Sequence, residues 1–261
     1  MKTVGIIGGI GPESTIEYYR GIIAVYRERQ SGTGVRGPRR GSPAGVLVPP
    51  VDNHAQDARA TGYPLMILNS INLTLMVGWI TANELDKAAD YLVAGLERLA
   101  RAGVDFGVIA AGTPHIVFDQ VRARSPIPLI SIVEATCEAA ACVNLKRIAL
   151  FGTRFTMQGH FYQDVFAKAG ITLVVPEPDE QEYIHDKYMN ELVHGIVLPE
   201  THDRLLAILD KMKERDGVEA LILGGTELSL IIKDAEHNGM PILDTTKIHV
   251  ARIVEELLQV A

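Results

Sequence analysis

Apolar residues recur along this chain in two rhythms. Short continuous runs read as buried strands: Lys2–Ile7, Leu65–Leu68, Phe106–Ala110, Pro128–Ile132, Arg147–Phe151, Thr172–Val175 and Ala220–Leu223. Longer stretches between them have helical spacing. Ile16, Tyr19, Ile23 and Tyr26 mark a helix that runs to Arg29. Further helices are expected near Asn83–Ala102, from about His115, and over Glu134–Val143, Met157–Ala169, Glu182–His194 and Asp203–Arg215. Strands alternating with helices predict an α/β fold with parallel sheets.

The turns that follow the strands repeat. Gly8-Gly9-Ile10-Gly11-Pro12 closes the first strand, and Gly152-Thr153-Arg154 closes the strand at 147–151. Ala111-Gly112-Thr113-Pro114-His115 is echoed by Gly224-Gly225-Thr226-Glu227. From Gly8 to Gly152 the shift is 144 residues, and from Thr113 to Thr226 it is 113. The difference, 144 − 113 = 31, is close to the length of a Gly/Pro/Arg-rich stretch after the first helix, which reads as an insertion in the first half. The expected architecture is two pseudo-symmetric three-layer αβα halves, residues 1–117 plus 229–261 and residues 118–228. Ligands of open parallel sheets sit beyond the carboxyl ends of the strands, where all four turns lie. Halves that face each other would bring these turns to one cleft, with backbone N–H groups and small hydroxyls suited to a carboxylate. Gly9 and Ile10, ahead of a helix N-terminus, are a candidate anion seat.

Composition narrows the chemistry. The 261 residues are 47% hydrophobic and 22% charged, which excludes a disordered chain. A net charge of −7 argues against sequence-independent nucleic-acid binding. No apolar run reaches the roughly 18 residues of a membrane span. The N-terminus passes directly into a strand pattern, so a signal peptide is not expected and a cytoplasmic location is. Cys137 and Cys142 cannot form a disulfide scaffold, and their place on an alanine-rich helix suits small core residues. Gly9-x-Gly11-x-x-Ser14 imitates a dinucleotide fingerprint, but no strand ending in Asp or Glu follows about 20 residues on. Residues 31–50 hold nine Gly or Pro together with Arg36, Arg39 and Arg40. They read as a solvated loop or as an arm that brings positive charge to an acidic substrate.

Six segments in order resemble the aspartate/glutamate racemase family: Gly5–Tyr19, Leu68–Asn72, Thr113–His115, Phe151–Met157 with Phe161-Tyr162, Leu223–Leu228 and Asp244–His249. The resemblance spans nearly the whole chain apart from about 31–60. It implies inversion of an amino-acid α-carbon without metal or pyridoxal, by two cysteines, one from each half, that exchange a proton on opposite faces. It also implies a homodimer and a small amino-acid or carboxylate substrate. Here the first cysteine position is Ala111, with Gly112 where Asn is usual, and the second is Gly225. Neither residue moves a proton, so two-base racemisation is not expected. The sequence therefore points to altered chemistry at the α-carbon, with decarboxylation or elimination, or non-catalytic amino-acid or dicarboxylate binding, as alternatives.

Several residues remain to carry such a site. Thr113 and Thr226 offer hydroxyls for a carboxylate, or cap the following helices. His115 is a candidate titrating near neutrality, or a helix-start residue bonded to backbone. Glu227 is a candidate base if desolvated, or an orienting residue. Gly112, Thr153 and Arg154 are expected on the cleft, with Arg154 as the carboxylate partner. Ser70 and Asn72 are candidate polar wall residues. Lys187 and Glu191 read as a solvated i,i+4 pair.

Overall fold

A computed structural model describes residues 2–30 and 62–259. The Gly/Pro/Arg-rich stretch 31–50, with Arg36, Arg39 and Arg40, lies outside the described residues. In chain order the first half comprises β1 (Thr3–Gly8), α1 (Pro12–Gln30), β2 (Leu65–Ser70), α2 (Leu73–Thr81), α3 (Leu85–Arg101) and β3 (Phe106–Ile109). A 3-10 turn at Thr113–Val117 leads to α4 (Phe118–Arg124) and β4 (Leu129–Ile130). There follow α5 (Ile132–Cys142), β5 (Arg147–Phe151), α6 (Arg154–Gln158), α7 (His160–Lys168), β6 (Thr172–Val174) and α8 (Pro178–Asn190). The chain ends with α9 (Pro199–Asp216), β7 (Ala220–Leu223), α10 (Leu228–Ile231), β8 (Glu236–His237), β9 (Met240–Asp244) and α11 (Thr245–Leu258).

The strands form two sheets wound alike. The first has the order β2-β1-β3-β4 and the second β6-β5-β7-β9, with β8 added at its edge. All pairings are parallel except β8 with β9. Parallel strands buried on both faces need apolar residues at every position. Thus Val4 and Ile6 join Tyr18, Ile22 and Tyr26 of α1 and Val250, Ile253 and Val254 of α11. Ile7 joins Leu92, Leu96 and Leu99 of α3 on the other face. In the second half Ala149, Phe151, Leu221 and Leu223 pack with α8 and α9, while Ile148, Leu150 and Ile222 pack with α5 and α7. No helix among the described residues is long and apolar enough to cross a membrane.

The sheets divide the chain at other points than the turns suggested. Leu129 pairs with Gly107, so β4 extends the first sheet past residue 117. Ile242 pairs with Leu221, so β9 keeps residues beyond 228 in the second sheet. From there α11 returns to α1 and also packs on α5, which ties the halves together. The α1 stripe also differs from the expected one. Tyr18, Ile22 and Tyr26 are buried, whereas Ile16 and Tyr19 are exposed. Spacing alone allowed either face, and the tyrosine at 18 is accepted inside because its hydroxyl meets His249 Nδ1 at 2.8 Å. The expected helix at 157–169 is two helices, α6 and α7, that meet at Gly159. Cys137 is buried as expected, but Cys142 at the end of α5 is exposed.

Candidate active site

The four turns meet at the carboxyl ends of β1, β3, β5 and β7. Thr113 Oγ1 lies 3.1 Å from Thr153 Oγ1, a hydroxyl bridge between the halves. The Gly224 carbonyl oxygen would stand 2.5 Å from a Cβ built on Gly112, so only glycine lets these two loops approach. Gly11 has φ +93° and touches the Glu227 carboxylate, so the first turn and the last are also in contact. Ala111, Gly112, Thr153, Gly225, Thr226 and Glu227 are all buried, and Thr113 is half-buried.

The buried carboxylate of this junction lies beside the second turn. A Cβ on Gly225 would stand 2.7 Å from Tyr188 Oη and 2.8 Å from Cζ, so the α8 tyrosine fills the volume beside the second turn. The Tyr188 hydroxyl donates to Glu227 Oε2, and Thr226 Oγ1 donates to the same oxygen at 2.9 Å. Burial, and then the adjacent Glu227 carboxylate, hold the Tyr188 hydroxyl well above its ordinary range, so it remains the donor. Opposite, Ala111 belongs to an apolar cluster with Ile10, Ile71 and Phe155. Tyr188 had not been singled out from sequence. The only signal was volume: a glycine at a position where the resemblance implies cysteine leaves room for a larger neighbour, but the chain alone does not say which.

His115 departs from its expected titration. Its ring is buried, stacks on Phe118 at 4.6 Å, and brings Nδ1 to 3.0 Å from the Ala111 carbonyl oxygen. Burial lowers its pKa to about 3, aided by nearby His249, so the ring is neutral near pH 7 rather than titrating there. The threonines do not cap helices as the simpler reading held, since Thr113 bonds Thr153 and Thr226 bonds Glu227. Thr153 does cap α6, accepting from the Thr156 N–H at 3.3 Å. The Gly9 N–H is already taken by Thr15 Oγ1 at 2.9 Å, which removes one donor from the supposed anion seat. Ser70 Oγ lies against Gly9 beside the buried Ile10, while Asn72 caps α2 by accepting from the Leu75 N–H at 3.1 Å. The Lys187–Glu191 pair is less solvated than expected, because Glu191 is buried and also accepts from Thr201 at 2.6 Å. Burial raises the Glu191 carboxyl, but bonds from Lys187 and Thr201 outweigh it and hold it below its ordinary value.

Arg154 is exposed and lines an open pocket of about 360 Å³ with Val77, Thr81, Phe155, His185 and Met189. Its backbone N–H donates to His185 Nδ1 at 3.2 Å. Burial lowers the His185 pKa, and the Arg154 guanidinium lowers it further. Phe155 lines this pocket and also packs against the cluster that holds Ala111.

Two halves with the same strand order, joined through their strand-end turns, define an α/β protein of duplicated design with its candidate site at the junction. The chain belongs to the Asp/Glu/hydantoin racemase family, whose model matches residues 47–253. The broad specificity amino-acid racemase RacX of Bacillus subtilis (strain 168) is 24% identical over 250 residues, covering 93% of this chain and 92% of that protein. An aspartate racemase homologue from Pyrococcus horikoshii OT3 has a TM-score of 0.76 and 28% identity over 99% of this chain and 100% of its own. Glutamate racemase from Aquifex pyrophilus shares the fold, with a TM-score of 0.60 and 15% identity over 99% of this chain and 84% of its own.

Proposed function

We propose that this protein is an enzyme acting at the α-carbon of a small amino acid or carboxylic acid, by one-sided proton chemistry in place of two-base racemisation. The supporting observation is the asymmetry of the junction. Glu227, bonded by Tyr188 and Thr226, is the carboxylate at the second turn, while the first turn offers Ala111 and a neutral, buried His115. A carboxylate held by two hydroxyl donors serves as a general base when substrate displaces part of that network. Thr113, Thr153 and the backbone at Gly112 are the proposed carboxylate contacts. With one acid–base group on one face, the carbanion left by deprotonation takes a proton back from the same face or expels a β-substituent, whereas loss of carbon dioxide from the intact substrate generates a carbanion that the same group, in its protonated form, protonates. Decarboxylation and elimination are therefore the alternatives on the same scaffold. The reading includes action as a homodimer in the cytoplasm, without a metal or organic cofactor.

The protein and its Glu227→Gln variant are to be incubated with a panel of amino and dicarboxylic acids in D₂O. NMR and mass spectrometry follow deuterium uptake and loss of CO₂ or ammonia. Turnover by the native protein that Glu227→Gln loses supports the proposal. A folded native protein that leaves the whole panel untouched contradicts it and favours a binding role.

A further inference from the structure

We propose that the pocket between α2, α6 and α8, which flanks the junction, is a second binding seat for an apolar monocarboxylate that carries no ammonium group, such as a branched 2-oxo acid. This goes beyond the proposed reaction and does not rest on it. The pocket, about 360 Å³, falls in the size range of small-molecule sites. Its walls come from both halves: Val77 and Thr81 from α2, Arg154 and Phe155 from α6, His185 and Met189 from α8.

The chemistry of the walls selects the ligand. Arg154 makes no ion pair with any described carboxylate, so its guanidinium is available for a bidentate contact with one from outside. The His185 ring uses Nδ1 to accept the Arg154 N–H, which fixes the tautomer and leaves Nε2–H as a second donor. Val77, Phe155 and Met189 present apolar surface to the rest of the molecule, which disfavours a phosphate or a dicarboxylate. None of the described residues lining the pocket is acidic. An amino acid would therefore set its ammonium near Arg154 with no pocket-lining carboxylate to receive it, whereas the corresponding 2-oxo acid meets no such repulsion.

The test uses the full chain with 4-methyl-2-oxopentanoate as probe and leucine, which has the same carbon skeleton, as its control. Calorimetry measures affinity, and the methyl resonance of Met189 in protein labelled at methionine reports where the probe sits. The expected result is a Met189 shift, binding of the oxo acid about tenfold or more tighter than leucine, and loss of about tenfold or more in Arg154→Ala and in Val77→Trp. Thermal unfolding establishes that each variant is folded, and Arg154→Lys is a second variant at the same position expected to retain part of the affinity. Glu227→Gln is expected to bind the probe like the native protein. No binding at millimolar probe, equal binding of leucine, or undiminished affinity in both Arg154→Ala and Val77→Trp would overturn the proposal. Probe binding without turnover on the amino-acid panel leaves this seat standing while the proposed reaction falls. Turnover without probe binding does the reverse.

Discussion

Gly225→Ala probes how tightly the junction is packed at the second turn. The added Cβ would lie 2.7 Å from Tyr188 Oη and 2.8 Å from Cζ, against about 3.4 Å for an ordinary contact. Tyr188 Cε2 would lie closer to that Cβ than either atom, so the ring must retreat by more than 3.4 − 2.7 = 0.7 Å. It is poorly placed to do so, because Tyr188 is only 6% exposed, packs with Phe151, Ile184 and Leu223, and is tied through its hydroxyl to Glu227. Overpacking of this kind costs about 1–3 kcal/mol. Gly225→Ala should therefore lower Tm by several degrees, since 1 kcal/mol is worth about 2–4 °C in a chain of this size. Tyr188→Ala alone is expected to cost about 3–5 kcal/mol through its cavity and the unmet Glu227 bond. In the Tyr188→Ala background the added methyl enters free space, so Gly225→Ala should cost less than about 0.5 kcal/mol there. A double-mutant cycle by denaturant unfolding should give a coupling of about 1 kcal/mol or more. Equal costs of Gly225→Ala in both backgrounds would refute the steric argument. The same reasoning means that introducing a cysteine at Gly225 requires Tyr188 to be reduced in the same molecule.

Stability should fall as pH drops below about 6.5. Burial lowers His115 to about 3 and His249 to about 4, so the unfolded chain takes up two protons that the folded chain refuses. Each ring contributes nothing above its unfolded pKa and costs up to about 1.4 kcal/mol per pH unit below it, which makes about 4 kcal/mol for both at pH 5. Thermal unfolding at pH 8, 6.5 and 5 reads this directly, and a flat profile from 6.5 to 5 would contradict the burial of either ring. Tyr188→Phe removes one hydroxyl donor from the Glu227 carboxylate and should lower kcat about tenfold on whichever acid the protein turns over, with only a modest loss of stability. An unchanged kcat would remove Tyr188 from the acid–base pair.

The sheets were legible because buried parallel strands carry apolar residues on both faces, as in Val4, Ile6 and Ile7 or Leu221 to Leu223. The repeated turns also showed that the two halves are built alike. Less legible was what depends on distant partners. Gly107↔Leu129 and Leu221↔Ile242 decide which sheet a short strand joins, and no local pattern records those pairings. The face of α1 was misread for the same reason, since Tyr18 is stabilised by His249 from the far end of the chain. At the site, glycine and threonine positions followed from the turns. The Tyr188–Glu227 contact joins residues 39 apart and became visible only when α8 was folded against the last turn.

The central claim is that protons move on one face of the α-carbon, and the stereochemistry of exchange tests it most directly. A single enantiomer of a turned-over substrate is incubated in D₂O, with deuterium uptake followed by NMR and handedness by chiral chromatography. One-sided chemistry gives deuterated substrate of unchanged configuration, or a decarboxylated or eliminated product, with no build-up of the opposite enantiomer. Appearance of the opposite enantiomer at the rate of deuterium uptake would contradict the account.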